Sequence, residues 1–199
     1  MYNKLNKVTI LSAIFIEAIF IFTAITSIMQ NNMKILNKSL LAFIAITIPF
    51  IISYVANKKK IQLPVTFKLV SILFIFAAQY FGEIHHFYTK FWWWDLLLHS
   101  IFGFYSVIIF VHITKDIIKK EKDVSYKRYN IATSFFAFNF AVTLGTLWEM
   151  FEFSGDFLFN TGMVKGGLED TATDLLVKIA AAFLTSIFYY YKNFKHLAP

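Results

Sequence analysis

The sequence predicts an all-α, polytopic membrane protein of about six transmembrane helices with both termini in the cytoplasm. Three observations carry this reading: a composition too apolar for water, six apolar runs of near-spanning length, and basic residues concentrated in alternate connections. Of 199 residues 58% are hydrophobic and 16% charged, with mean hydropathy +0.60. Soluble domains run at about 45–50% apolar and about 25% charged. A water-soluble chain of this size could not bury 25 phenylalanines together with its other apolar groups, whereas a bilayer accommodates them. Disorder is excluded by the same apolar excess, and a disulfide scaffold by the absence of cysteine.

A spanning helix needs about 20 mostly apolar residues. Six runs meet that need, near 8–29, 36–56, 67–82, 92–112, 131–153 and 171–191, and their short connections make 1–199 a single helical domain. The alternating pattern of a membrane β-barrel is absent, and the apolar runs are continuous, so helices are expected. The first run follows the basic start MYNKLNK. It is longer than the apolar stretch of a signal peptide and no A-x-A site follows, so it reads as a retained helix.

Orientation comes from the connections. Lys4, Lys7, Lys58, Lys59, Lys60, Lys68, Lys192, Lys195 and the six basic residues between Lys115 and Arg128 fall on one side. Lys34, Lys38, Lys90 and Lys165 fall on the other. Fourteen against four makes the first side cytoplasmic. It also accounts for most of the +7 net charge, so no nucleic-acid partner is expected. Phe91, Trp92, Trp93 and Trp94, and at the other face Tyr189, Tyr190 and Tyr191, read as interfacial aromatic belts. His112 and His196 read as a cytoplasmic interface residue and a tail residue, and Asn139 as interhelical glue.

Ionisable groups inside a span are costly and usually mark function. Here they gather on three consecutive helices at one side of the membrane. Asp95 and His99 are four apart on the fourth span, with Gly103 one turn deeper; Glu149 and Glu152 are three apart on the fifth. Asp170 and Asp174 are four apart on the sixth, where Lys178 continues the same face. At about 1.5 Å per residue His99 lies about 10 Å below Trp92, and Glu149 about 6 Å below the expected end of its helix, so the depths match. Five crowded carboxylates cannot all stay charged in low dielectric without a partner. A divalent metal, a shared-proton relay, or neutralisation by Lys178, with Asp174 one turn away, would each answer that need. Asp95, His99, Glu149, Glu152, Asp170 and Asp174 are the candidate ligands, with Glu149, Asp174 and His99 as candidate catalytic groups. Glu83, His85, His86, Glu17 and Lys178 are candidates to support them. Oxygen-rich donors favour Mg, Mn or Ca; the histidines keep Zn or iron open. The bland reading is a buried ion-pair network that fixes helix register, with Asp170 or Thr171 as a cap, Glu152 among headgroups, and Glu169 and Asp156 in solvent. Gly162, Gly166 and Gly167 make the last connection either a lid or a turn. No zincin helix, nucleophile elbow, P-loop or dinucleotide fingerprint is present, and Ser100 and Ser154 fit no triad spacing, so activated water suits an enzyme here better than a side-chain nucleophile.

The ordered strings W-D-x-x-x-H-x-x-x-G from Trp94 to Gly103, L-W-E-x-x-E from Leu147 to Glu152, and G-x-x-D-T-x-x-D from Gly167 to Asp174 resemble the YjdF-like family of small bacterial inner-membrane proteins. More remotely they resemble VanZ-like membrane proteins, which share an Asp/His, Glu, Asp progression and are associated with glycopeptide response at the cell envelope. In the last string Leu168, Glu169 and Asp170 stand in for a more polar, Trp-containing run. The resemblance implies a multi-pass protein of the bacterial cytoplasmic membrane and groups these residues together, without assigning them a reaction. Three function classes follow from the residues themselves: a metal-dependent enzyme acting on a lipid or envelope substrate, a proton- or cation-coupled transporter, and a non-catalytic scaffold subunit.

Overall fold

Seven helices order the chain in the computed structural model, which describes residues 2–115, 117–159, 161–164 and 166–195, with side chains from residue 5 to residue 191. Lys165 and His196, which entered the reading of charge and tail, lie outside the described residues, as do the side chains of Lys4, Lys192 and Lys195. The helices are α1 (Tyr2–Met29), α2 (Met33–Lys58), α3 (Phe67–Phe76), α4 (Phe87–Lys90), α5 (Trp92–Thr114), α6 (Tyr126–Phe159) and α7 (Leu168–Lys195), with a π-helical stretch Ala77–Ile84 continuing α3. Six of these stretches are long and apolar enough to cross a membrane, α3 only together with its π-helical continuation. No strand occurs among the described residues.

The chain divides into two compact units, Met1–Trp94 and Asp95–Pro199. In the first, Ala13, Ile16 and Phe20 of α1 pack with Ala42 and Ile46 of α2, Ile72 of α3 and Ile84. A tight turn joins α1 to α2. Asn31 takes a left-handed conformation (φ 52°), and the Asn32 side chain accepts from the Ile35 amide at 3.2 Å, capping α2. Pro49 lies inside α2, a position that spanning helices tolerate better than soluble ones.

The π-helical stretch is unusual because it runs for eight residues, where most such segments are single turns. An aromatic group surrounds it. Phe76 stacks on Tyr80 at 4.9 Å, Tyr80 meets the His85 ring at 4.6 Å, and Phe81 meets both Phe87 and Trp94. A Cβ on Gly82 would fall 2.3 Å from the Tyr88 ring, so the ring would have to shift to admit a side chain there.

In the second unit the core is built from small residues. Ala137 and Ala141 of α6 meet Ala182 of α7 and Val107 of α5. Without a hydrophobic drive between helices in lipid, small side chains let backbones approach until dispersion and hydrogen bonds hold them. Large side chains turn outward instead, including Phe135, Phe136, Leu147, Phe151 and Phe188. Asn139 belongs to that outward face and donates to the Phe135 carbonyl of its own helix at 2.8 Å. Its expected role as interhelical glue is therefore corrected: a back-bond within α6 occupies the amide on an exposed face of that helix.

Candidate functional site

The second unit brings Asp95, His99 and Asp174 together. Asp95 sits in the first turn of α5, where a negative charge suits the helix dipole, and His99 follows one turn on. Nε2 of His99 lies 3.1 Å from Oδ1 of Asp95 and 3.3 Å from Oδ2 of Asp174 on α7. The Asp174 and His99 side chains are buried, at 4% and 8% exposure, while Asp95 at 28% opens the group to its surroundings. One donor atom from each of the three lies within 4.8 Å of the others. Donors held about 2.0–2.1 Å from one divalent ion stand about 2.8–3.4 Å apart across the range from octahedral to tetrahedral angles. The two separations from His99 Nε2 fall in that interval. It is also hydrogen-bond distance, so the same geometry serves an imidazolium shared by two carboxylates.

One helical turn further along α7, Lys178 is buried at 1% exposure and its ammonium donates to Glu149 Oε1 on α6. The sequence offered Lys178 as the neutraliser of the carboxylates, with Asp174 one turn away on its own helix; the hydrogen-bonded ion pair runs instead to Glu149 on α6. Two glycines make room for it. A Cβ on Gly103 would fall 2.4 Å from the Lys178 carbonyl oxygen, and one on Gly145 would fall 3.1 Å from Lys178 Cδ. The Lys178 ammonium also stands 5.9 Å from the centre of the Phe102 ring.

The remaining candidates are placed as follows. Glu152 accepts from Trp148 Nε1 at 2.8 Å, one turn back on α6. Asp170 lies inside the first turn of α7, one turn before Asp174, and Glu169 beside it is exposed. In the first unit Glu83 is held by Lys38, whose ammonium reaches its carboxylate at 2.7 Å and its carbonyl at 3.3 Å. His85 packs on Tyr80, His86 is exposed with a left-handed backbone (φ 60°), and Glu17 is half-buried on α1. Ser100 and Ser154 donate their hydroxyls to the Leu96 and Met150 carbonyls of their own helices.

Asp156 is more than a solvated charge. Its carboxylate accepts from the Thr161 hydroxyl and from the Met163 and Val164 amides at 2.7 and 2.8 Å. Gly162 (φ 69°) and Gly167 (φ 66°) take left-handed conformations that other residues avoid, which makes the α6–α7 connection a shaped turn. The sequence did not mark Gly145, Asn130, Ser134 or Ser186, all buried in this unit. Their signal was available as small or polar residues recurring at helical spacing along the otherwise apolar α6 and α7.

Fold and site together define a multi-pass helical membrane protein with a buried Asp/His cluster among its second group of helices. The chain belongs to the DUF2238 family of predicted membrane proteins, whose profile matches residues 8–194. It is also similar to an uncharacterized protein of Thermotoga maritima, 26% identical over 132 residues that cover 66% of each chain. The chain thus matches just under two thirds of that relative's length. No solved structure matches it.

Proposed function

We propose that Asp95, His99 and Asp174 hold one divalent cation, and that the protein is a metal-dependent enzyme acting on a lipid or envelope substrate from the outward side of a bacterial cytoplasmic membrane. The observation that carries this reading is the convergence of three ligand-type atoms within 4.8 Å, two of them on buried side chains. One nitrogen and two carboxylate oxygens suit Mn, Zn or Mg. Calcium, which takes six to eight oxygens, fits least well. Three protein donors leave positions for water and substrate, and a bound cation would supply an activated water or polarise a phosphoryl or carbonyl oxygen. His99 and Asp174 act as ligands at the reacting centre. Glu149, with its charge taken by Lys178, orders the layer beneath, and Glu152 and Asp170 stand ready at the rim for proton transfer or substrate contact. The count of basic residues supports the outward placement of the cluster and cytoplasmic termini. The YjdF-like resemblance agrees with the family, and the VanZ-like one adds nothing to this reading.

The test is elemental analysis of protein purified in mild detergent without chelators, after Mg, Mn and Zn have each been offered. About one equivalent of metal per chain, lost in both Asp174→Asn and Asp95→Asn, is expected. Folded wild-type protein that takes up none of the three overturns the proposal. A proton- or cation-coupled carrier is the second reading, favoured by the buried Lys178–Glu149 pair one turn below the cluster. Ion or solute flux in proteoliposomes that disappears with Asp174→Asn, without metal in the wild type, would select it.

A further inference from the structure

Along α7 the buried face advances four residues at a time, through Asp174, Lys178, Ala182 and Ser186. Each position meets a level of the second unit. Asp174 joins Asp95 and His99; Lys178 joins Glu149, Gly103 and Gly145; Ala182 joins Val107, Ala137 and Ala141. The register set by these contacts runs α6 antiparallel to α7, so one turn further Ser134 stands level with Ser186, and Asn130 lies one turn beyond. Ser134, Ser186 and Asn130 are 8%, 5% and 3% exposed. Ser134 Oγ, Ser186 Oγ and Asn130 Nδ2 have no hydrogen-bond partner among the described residues.

That is unusual twice over. Buried side-chain polar atoms are nearly always paired, and a serine in a helix has a ready acceptor in the carbonyl four residues back. The adjacent threonines use it: Thr133 donates to Tyr129 and Thr185 to Ala181. Ser134 and Ser186 point their hydroxyls elsewhere. Three neutral donors and acceptors at one end of a helix pair match what a buried water needs, namely two to four polar partners in a polar space.

We infer that the second unit holds a buried cluster of water at the level of Asn130, Ser134 and Ser186, entered from the end where α5 and α6 are connected. Asn130 is in the second turn of α6, so the entry is short. The Val107, Ala137, Ala141 and Ala182 layer then forms a dry partition between this water and the Lys178–Glu149 pair. The unit has a polar compartment toward each membrane face and one apolar layer between them.

The absence of cysteine among the 199 residues makes the unsubstituted chain its own background for accessibility measurements. Single variants Ser134→Cys, Ser186→Cys and Ala182→Cys are reconstituted in liposomes and exposed to a small hydrophilic methanethiosulfonate on both sides. Because a thiol reacts as its thiolate, a hydrated cysteine is expected to label at least about tenfold faster than the one in the apolar layer. Equal, slow labelling of all three overturns the inference. Water-edited solid-state NMR of the unsubstituted protein decides the matter if a variant fails to fold. Magnetisation transfer from water to the Asn130 side-chain amide is expected, and its absence overturns the inference.

Discussion

Lys178 and Glu149, 29 residues apart in sequence, form an ion pair in which neither side chain exceeds 4% exposure. The pair joins α6 to α7 through the middle of the second unit. Removing one partner leaves a buried charge without its hydrogen-bonded counter-ion, which costs about 3–5 kcal/mol in protein interiors. Glu149→Gln and Lys178→Met are each expected to lower the thermal unfolding midpoint in detergent sharply. The double variant is expected to recover most of the loss. A double variant no more stable than the worse single would show that the pair is not the unit that matters.

The glycines that accommodate Lys178 should differ in tolerance. At Gly103 an added methyl meets a backbone carbonyl oxygen at 2.4 Å, which cannot move without shifting α7. At Gly145 it meets a flexible methylene at 3.1 Å. Gly103→Ala is expected to destabilise by about 1–3 kcal/mol as an overpacked site. Gly145→Ala should be clearly milder, helped by the better helix propensity of alanine. Thermal scans of both proteins check the order.

If the Asp95, His99 and Asp174 cluster binds a cation, the folded state gains stability by mass action. At a free metal concentration of 100 times Kd the gain is about 2.7 kcal/mol. Mn or Zn is expected to raise the unfolding midpoint of the wild type and to leave Asp174→Asn unmoved, with Ca the weakest of the series. Equal shifts in wild type and variant would assign the effect to some other site.

In the connection between α6 and α7 one carboxylate gathers three hydrogen bonds. Asp156→Ala removes the acceptor for the Met163 and Val164 amides and for the Thr161 hydroxyl at once. Those two amides are expected to exchange with deuterium much faster in the variant, while the core of α6 and α7 keeps its protection. Unchanged exchange at Met163 and Val164 would mean that the glycines alone set the turn.

Much of this architecture is legible in the amino-acid sequence. Hydropathy shows where six helices lie, and the spacing of Asp95 from His99 and of Asp174 from Lys178 places each pair on one helix face. What distance along the chain cannot give is which face meets which. Lys178 therefore reads as the partner of Asp174 on its own helix, although it pairs with Glu149 across to α6. Helix ends fail for a different reason. The run F-E-F-S-G-D-F-L-F looks like the exit from the bilayer because polar residues enter it, yet the backbone stays helical through Phe159. Glu149 is then ten residues from the end of α6, about 15 Å instead of about 6 Å. The π-helical stretch leaves no mark in composition at all, since it differs from α-helix only in which carbonyl each amide selects.

Span length has a consequence for the kind of membrane this protein can occupy. At about 1.5 Å per residue the 34 residues of α6 reach about 51 Å, whereas Phe67–Ile84 offers 18 residues, or about 27 Å at most. Hydrocarbon thickness averages about 30 Å, and mismatch is penalised by fractions of a kcal/mol per ångström. The short span favours a thin bilayer and leaves little slack for a thick one. α6 must tilt or carry its surplus turns into the headgroup zone, where side chains such as Trp148 and Phe157 are at home. Acyl-chain length should therefore act on this protein as temperature or ligand acts on others, with stability greatest in short-chain lipid and falling as the chains lengthen.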